Sequence, residues 1–316
     1  MKKIALIASI LTLCLAGFTQ AQTVSITQIV EHPALDSAYK GIVDALNEAG
    51  FTADKGLKIN HQSAQGNPAI ATQIAKKFVG DKPDLIIAIS TPSAQTVASS
   101  TKDIPIIFSA ISNPIEAQLM TNLEKPTGNI TGAMDSPPME AQIDLILELI
   151  PAAKAIGIIY NPGEANSVSM VRDFKKIAAQ KNINVVEASA TKTSEVTTAT
   201  RRLVGKVDAI YVPLDNTIVS AFESVAKVAS QAKIPLFAAD TDSVSRGAAA
   251  SLGFDYYELG KQTGRMAVKV LQGVSIADIP AKGVEVLDLV INLKSAQEQG
   301  LVIPDVVIKR AKKVIK

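Results

Sequence analysis

The feature that most limits the fold of this chain is a repeated alternation of short apolar segments with longer amphipathic ones. Val24–Val30 has the pattern of a strand, and Leu35–Ala49 has that of a helix ended by Gly50. Leu85–Ile89 and Ile104–Phe108 are continuous apolar runs of strand length, which suit a parallel sheet covered on both faces. Strands alternating with helices indicate βαβ units and therefore an α/β fold.

The same alternation begins again in the second half of the chain. In the first half, a strand over Lys58–His61 and a helix over Pro68–Val79, capped by Asn67, complete the pattern. In the second half we predict helices over Pro138–Ile150, Val168–Lys181, Glu195–Val204, Ala221–Gln231, Tyr257–Leu271 and Val306–Ile315. We predict strands over Ala155–Tyr160, Ile183–Glu187, Ala209–Val212, Pro235–Ala238 and Val284–Ile291. Restarts near Asn129–Asp135 and Ala250–Asp255 indicate two lobes joined by short hinge strands.

The first 21 residues have the order of a secretory signal peptide. Lys2–Lys3 is a positive start, Ile4–Phe18 is apolar, and a small residue, Ala21, follows. The apolar run is shorter than the roughly 20 residues that span a bilayer, so a membrane anchor is the weaker alternative. Cys14 lies inside the apolar run after Leu13 rather than after a small residue, which argues against a lipoprotein. We expect cleavage after about Ala21 and a soluble periplasmic protein.

Charge and cysteine content then exclude several classes of function. The chain has 32 basic and 30 acidic residues and one Cys, so removal of Lys2, Lys3 and Cys14 leaves a neutral, cysteine-free protein. Disulfide scaffolds, zinc–cysteine sites, iron–sulfur clusters and cysteine nucleophiles are excluded. A neutral chain also has no electrostatic reason to bind nucleic acid.

Polar loops follow five of the predicted strands, at the edge where ligands bind in open parallel sheets. The loops are Ser90–Ser93, Ser109–Pro114, Asn161–Ser167, Pro213–Thr217 and Ala239–Ser243. Ser, Thr, Asn and Asp also cap helices without any ligand, and for a single loop capping is the simpler interpretation. As a group, their hydroxyls and helix N-termini suit a carboxylate, while Glu164, Asp215 and Asp240 suit an ammonium group. The mixture favours a small zwitterion.

Signs of catalysis are weak. The two histidines, His32 and His61, lie on separate segments; His32 follows the first strand and is placed to reach a cleft. Ser90 has no base nearby in sequence, and there is no nucleophile elbow, phosphate-binding loop or zinc-protease motif. No metal cluster or cofactor motif is visible. Aromatic residues near the predicted cleft pack in the core or stack on a flat ligand: Phe108, Tyr160, Phe254, Tyr256 and Tyr257.

Four segments together resemble a family of ABC-transporter substrate-binding proteins, whose characterised members bind aromatic amino acids, especially tryptophan. The segments are Ile29–Asp36 (IVEHPALD), Tyr160–Ser167 (YNPGEANS), Pro213–Thr217 (PLDNT) and Gly253–Gly260 (GFDYYELG). The resemblance covers essentially the whole chain after the signal segment. It implies the type I periplasmic-binding fold, two Rossmann-like lobes joined by three hinge crossings. Lobe one would be residues 22–133 with 254–282, and lobe two 134–253 with 283–316.

The resemblance also implies ligand contacts at matching positions. These are Thr91, Ser93 and Asn113 from the first lobe, Asp135 near the first crossing, and Asn161, Glu164, Asn166, Ser167, Asn216, Thr217 and Asp240 from the second. Further candidates are His32, Asp36, Ser90, Tyr160 and Asp215. Gly163 stands where a more polar residue is expected, which loosens that loop without moving the site.

Three functions remain open from sequence. The first is a monomeric, cofactor-free receptor that closes on an amino acid, an aromatic one by the resemblance (tryptophan, phenylalanine or tyrosine), and delivers it to the membrane permease and ATPase of an ABC importer. The second is an exported hydrolase, which needs a nucleophile–base pair that the sequence does not reveal. The third is a sensor lobe that docks to a membrane receptor without transport.

Overall fold

The structure, a computed structural model, describes residues 21–316. The predicted signal segment, with Cys14, therefore lies outside the described residues except for Ala21. No helix in the described part of the chain is long and apolar enough to cross a membrane.

Thirteen strands in residues 21–316 form two sheets. The strands are β1 (Thr23–Gln28), β2 (Lys58–Ser63), β3 (Leu85–Ile89), β4 (Ile106–Ile111), β5 (Ile130–Met134), β6 (Ala155–Tyr160), β7 (Asn184–Ser189), β8 (Ala209–Val212), β9 (Leu236–Ala238), β10 (Ala250–Gly253), β11 (Lys282–Gly283), β12 (Asp288–Asn292) and β13 (Lys313–Ile315). The sheet orders are β11-β5-β4-β3-β1-β2 and β13-β12-β10-β9-β8-β6-β7.

Eleven α-helices in the same residues connect and cover the strands. They are α1 (Pro33–Glu48), α2 (Pro68–Asp81), α3 (Thr91–Ser100), α4 (Met139–Leu149), α5 (Ala165–Gln180), α6 (Val196–Arg201), α7 (Asn216–Ser220), α8 (Phe222–Ala232), α9 (Tyr256–Leu271), α10 (Leu293–Glu298) and α11 (Asp305–Arg310). Asn67 caps α2 as predicted, because its Oδ1 accepts hydrogen bonds from the amides of Ala69 and Ile70.

The strand pairs are parallel, apart from the antiparallel pair of β10 with β12. Every residue of β3 and β4 is buried, which explains why both read as continuous apolar runs. The α/β class predicted from the alternation is confirmed.

The chain passes between the two sheets three times. The first crossing follows β5 and leads to α4, the second follows β10 and leads to α9, and the third joins β11 to β12. We call the part around the six-stranded sheet lobe 1 and the part around the seven-stranded sheet lobe 2. Two of the crossings lie at the restarts that the sequence indicated.

Helices α1 and α9 are held in lobe 1 by a close approach that only glycine permits. A Cβ on Gly260 would lie 2.1 Å from the carbonyl oxygen of Ala38, and one on Gly41 would lie 2.2 Å from that of Tyr257. The close contact fixes the first turn of α9, which begins at the second crossing, against the helix that follows β1. Both helix N-termini are thereby held at the edge of the sheet that faces lobe 2.

Two predicted elements at the C-terminal end differ from the structure. The strand predicted over Val284–Ile291 begins only at Asp288, because residues 284–287 form the third crossing. The helix predicted over Val306–Ile315 ends at Arg310, and Lys313–Ile315 instead pairs with β12. The exposed edge of β12 offers backbone hydrogen bonds that outweigh the helical spacing of this short segment.

Candidate functional site

A narrow cavity lies between the lobes, at the carboxyl ends of the parallel strands. Its lobe 1 wall is made by His32, Ala34, Leu35, Ser90, Thr91, Ala110 and Ser112. Asp135 and Tyr256, from the first two crossings, join Asn166, Leu214, Asp215, Asn216, Val219 and Asp240 of lobe 2. The volume of the cavity is only about 20 Å³.

The N-terminus of α3 forms an electropositive wall of this cavity. The hydroxyls of Ser90 and Ser93 are buried and have no hydrogen-bond partner among the described residues. Ser90 also has a positive φ of 78°, and Ala110, near the end of β4, has one of 58°. Such backbone strain costs about 1–3 kcal/mol per residue and is typical of functional sites. Free hydroxyls beside a helix N-terminus are suited to a carboxylate or another anion.

Asp135 is buried at the first crossing, where it lines the cavity. Its carboxylate accepts hydrogen bonds from the Ser112 hydroxyl at 3.0 Å and from the Tyr256 hydroxyl at 2.8 Å. Burial raises the pKa of Asp135 to about 6, although both hydrogen bonds lower it, and the nearby charge of Asp240 adds to the increase. Since a carboxylate has about four acceptor positions, Asp135 retains capacity for a cationic ligand group.

Asp240 is a second buried carboxylate that lines the cavity. It accepts hydrogen bonds from the amide of Ser243 at 2.8 Å and from its hydroxyl at 2.7 Å. Burial raises the pKa of Asp240, while the hydrogen bonds to Ser243 and the charge of Arg246 oppose the shift. Neither Asp135 nor Asp240 forms an ion pair among the described residues, so a cationic ligand group would stabilise both carboxylates.

His32 lines the cavity as the N-cap of α1. Its Nδ1 accepts a long hydrogen bond of 3.5 Å from the amide of Leu35. Burial and then the positive charge of Arg246 lower the pKa of His32 to about 3, so the imidazole is neutral. The acceptor role of Nδ1 assigns the proton to Nε2, which makes His32 a neutral donor at the cavity wall.

A network of hydrogen-bonded side chains holds the lobe 2 side of the cavity in place. Glu164 accepts hydrogen bonds from the amide and side chain of Asn216, at 3.0 and 2.6 Å, and from those of Thr217, at 2.9 and 2.7 Å. Asp215 caps α7 and also accepts from the Ser167 hydroxyl at 2.6 Å and the Asn161 amide at 2.5 Å. Burial and the neighbouring Glu164 raise the pKa of Asp215.

The structure therefore separates the predicted site residues into those that line the cavity and those that do not. His32, Ser90, Thr91, Asp135, Asn166, Asp215, Asn216 and Asp240 line it. Asn161, Glu164 and Thr217 lie behind it and, together with Asn216, border a wider groove that opens between the lobes beside Pro68 and Pro92. Ser93 is buried in the first turn of α3, and Ser167 binds Asp215.

Three other predicted residues are engaged elsewhere. Asn113 accepts a hydrogen bond from the amide of Glu116 at 3.1 Å and caps the turn after β4. Asp36 accepts one from Gln28 at 2.9 Å, and Tyr160 donates one to Glu187 at 2.8 Å. A direct ligand contact of these three side chains stays a prediction that this geometry does not favour.

Several cavity residues were not predicted as contacts. In the sequence, Tyr256 is only one of five aromatic residues near the predicted cleft, and Ser112 is only part of a polar loop. Leu35, Leu214 and Val219 carry no signal in sequence, since an apolar residue that faces a ligand looks like one that faces the core.

Other grooves in the described residues lack these features. A larger groove beside the third crossing is lined by exposed charged side chains such as Glu258, Arg265 and Lys269. Residues 21–316 contain no group of three or more His, Cys, Asp or Glu residues that could hold a metal ion. The narrow interlobe cavity is the candidate binding site.

Comparison with known proteins identifies related sequences. The model of the family described as ABC transporter substrate binding protein matches residues 23–315. A relative from Clostridioides difficile (strain R20291), named Tyrosine-binding protein, is 45% identical over 283 residues, which make up 89% of this chain and 82% of the relative.

Two solved structures show how the lobes are arranged. An ABC domain from Streptococcus pneumonia in complex with L-Trp is 40% identical, with a TM-score of 0.90 over 94% of this chain and 100% of that chain. A ligand-free, open substrate binding protein from Clostridium difficile is also 40% identical, but its TM-score is 0.70 over 93% of this chain and 99% of that one. At equal identity, the present lobe arrangement is closer to the L-Trp complex. The likeness confirms the type I periplasmic-binding fold.

Proposed function

The chain belongs to the ABC transporter substrate binding protein family, and from this premise we propose that it captures an aromatic amino acid between its two lobes. The family's members that work with importers are extracytoplasmic, and the matched relatives are substrate-binding proteins rather than enzymes. The hydrolase alternative has no support. The relatives named for tyrosine and solved with L-Trp make these two amino acids the first candidates.

The observation that carries the proposal is the polarity of the cavity. The ligand's carboxylate binds at the N-terminus of α3, where the hydroxyls of Ser90 and Ser93 are buried without partners. Its ammonium group lies between Asp135 and Asp240, whose buried carboxylates retain acceptor capacity.

The apolar part of the cavity receives the ligand's side chain. Leu35, Leu214 and Val219 supply apolar surface, and Tyr256 adds an aromatic ring held by its hydrogen bond to Asp135. The cavity of about 20 Å³ is much smaller than an aromatic amino acid, so the lobes must move apart to admit the ligand before they close around it.

Ligand-dependent thermal stabilisation tests this proposal. Tyrosine, tryptophan and phenylalanine are expected to raise the melting temperature, with a gain of about 2.7 kcal/mol at a hundredfold excess over the dissociation constant. Tyramine, which lacks the carboxylate, and 3-(4-hydroxyphenyl)propionate, which lacks the ammonium group, should both bind much more weakly. Absence of a shift with all twenty amino acids would refute the amino-acid proposal.

A matched pair of variants tests the predicted carboxylate site. Ser90→Ala removes a buried hydroxyl that lines the cavity at the N-cap of α3, whereas Ser99→Ala removes an exposed one from the last turn of that helix. Loss of a hydrogen bond to a charged group costs about 1.5–3 kcal/mol, so Ser90→Ala should weaken tyrosine binding about 10- to 150-fold. Ser99→Ala should leave the affinity unchanged; equal effects of the two variants would argue against this pose.

We also propose export to the periplasm, with cleavage after about Ala21 and no lipid on Cys14, and delivery of the ligand by a monomer to a permease and an ATPase. We further propose lobe boundaries at 133/134, 253/254 and 282/283, which lie within β5, directly after β10 and within β11. Intact-mass measurement of the exported protein tests the cleavage site, and a mass that includes a diacylglycerol on Cys14 would refute it. Unchanged ligand uptake by cells that lack this protein would argue against transport.

A further inference from the structure

One cluster of polar side chains links the two lobes away from the cavity and the crossings. Arg172 donates two hydrogen bonds to the carboxylate of Glu116, at 2.8 and 2.9 Å, and the Ser169 hydroxyl donates a third at 2.8 Å. Glu116 belongs to lobe 1, while Ser169 and Arg172 lie on α5 of lobe 2. Among residues 21–316, no other hydrogen bond or ion pair joins segments 21–134 and 256–283 to segments 139–253 and 288–316.

The lobe 1 side of this cluster is held firmly in place. The amide of Glu116 donates to Asn113 at 3.1 Å, and the Gln95 side chain donates to the carbonyl of Ala117 at 3.1 Å. Ala117 itself is buried in the lobe 1 core. Because Gln95 is on α3, the turn that carries Glu116 is attached to the helix whose N-terminus forms the anion wall of the cavity.

On the lobe 2 side, one helix, α5, carries both the cluster residues and a residue that lines the cavity. Asn166, which lines the cavity, precedes Ser169 and Arg172 by three and six residues on α5, so the three side chains lie along one face of that helix. A movement that brings Asn166 onto a ligand therefore also brings Ser169 and Arg172 onto Glu116.

We propose that Glu116, Ser169 and Arg172 form an interlobe latch that slows ligand release without touching the ligand. The inference rests on the proposed function, because it concerns the closed state of the same binding site. The latch forms only when the lobes close, so it acts on the dissociation rate and leaves the association rate unchanged. The three side chains are positioning residues for ligand retention.

The expected size of the effect follows from exposure and competition. The side chains of Arg172 and Glu116 are 56% and 40% exposed, so solvent screens their attraction. Arg172 also contacts Asp173 on its own helix at 2.8 Å, a partner that it keeps when the lobes separate. Exposed pairs of this kind change an equilibrium about 2- to 5-fold.

The two donors also lower the pKa of Glu116, with Arg172 as the larger cause and Ser169 as the second. Glu116 is therefore ionised at neutral pH, and the latch is an ion pair there. Its contribution should fall as salt screens the charges, since the screening length shortens from about 10 Å at 0.1 M to about 3 Å at 1 M ionic strength.

Stopped-flow displacement of bound tyrosine from Glu116→Gln and a matched control tests the latch. The control, Glu148→Gln, removes the carboxylate from the Arg310–Glu148 pair, which is similarly exposed and paired in the same two-pronged way but lies wholly within lobe 2. We expect Glu116→Gln to raise the dissociation rate about 2- to 5-fold at low salt, with an unchanged association rate. The control should match the wild type.

A double variant and the salt dependence of the dissociation rate distinguish a latch from a general structural effect. Arg172→Gln should raise the dissociation rate as Glu116→Gln does, and the double variant should raise it no further. At 1 M NaCl the variants and the wild type should converge. Equal rates for Glu116→Gln and the wild type at low salt, or an equal increase in the Glu148→Gln control, would overturn the latch while leaving the proposed function intact. A wild-type protein that binds no amino acid would overturn both.

Discussion

Replacing Asp135 with Asn is expected to stabilise the ligand-free protein at neutral pH while weakening ligand binding. Burial raises the pKa of this carboxyl from 3.8 to about 6. The folded protein therefore holds the proton more tightly than the unfolded chain. The cost of Asp135 to stability vanishes well below pH 3.8 and grows as the pH rises towards 6. Asn has nearly the same shape and no charge to bury.

The magnitude follows from the two pKa values. The cost of ionising Asp135 is about 1.6 kcal/mol at pH 5 and about 2.9 kcal/mol at pH 7, with little further change at pH 8. The advantage of Asp135→Asn over the wild type should therefore grow by about 1.3 kcal/mol between pH 5 and 7 and then level off. Imperfect hydrogen bonding of the amide to Ser112 and Tyr256 would reduce the advantage equally at every pH.

Urea unfolding of both proteins without ligand, at pH 5, 6, 7 and 8, measures this difference. Asp215, Asp240 and Asp242 also have raised pKa values, but they are present in both proteins and largely cancel. If the difference in unfolding free energy between the two proteins did not change between pH 5 and 7, the pKa of Asp135 would not be raised in the folded protein, and the reasoning would be refuted. Tyrosine binding should weaken in the variant, and in the wild type it should weaken as the pH falls below 6.

Further predictions concern packing and capping, and urea unfolding measures each. Gly260→Ala should destabilise lobe 1 by at least about 1–3 kcal/mol, because its Cβ would meet the carbonyl of Ala38, whereas Gly80→Ala, in open space on α2, should be neutral or stabilise by up to about 1 kcal/mol. Glu164→Gln should cost about 1–3 kcal/mol, since four donors converge on that carboxylate. Tyr211→Phe should cost a similar amount by removing the buried hydroxyl that Gln142 accepts from. Similar stability of the two glycine variants, or wild-type stability of either polar variant, would contradict these packing and capping assignments.

Much of the fold was predictable because it depends on local patterns. The apolar run Leu85–Ile89 had to be a strand buried on both faces, and Asn67 before Pro68 had to begin a helix. The C-terminal segment was the exception, since Lys313–Ile315 pairs with an edge strand that only the folded lobe provides. The resemblance supplied the crossings, and the structure places them at the ends of β5, β10 and β11.

The site was predictable only as a set of loops. The same residue types cap helices and bind zwitterions, so sequence alone could not distinguish Glu164, which holds the N-terminus of α7, from Asp135, which faces the cavity.

By itself, the sequence determined the alternation of strands and helices, the duplication into two lobes and the edge of each sheet where polar loops gather. These follow from hydrophobic periodicity and helix capping, which act over a few residues. The tertiary structure alone decided which polar groups have no hydrogen-bond partner and which carboxylates are buried away from solvent. It also decided that Glu116 pairs with Arg172 between the two lobes. Those properties depend on groups far apart in the chain, and their energies arise only when the lobes exclude solvent.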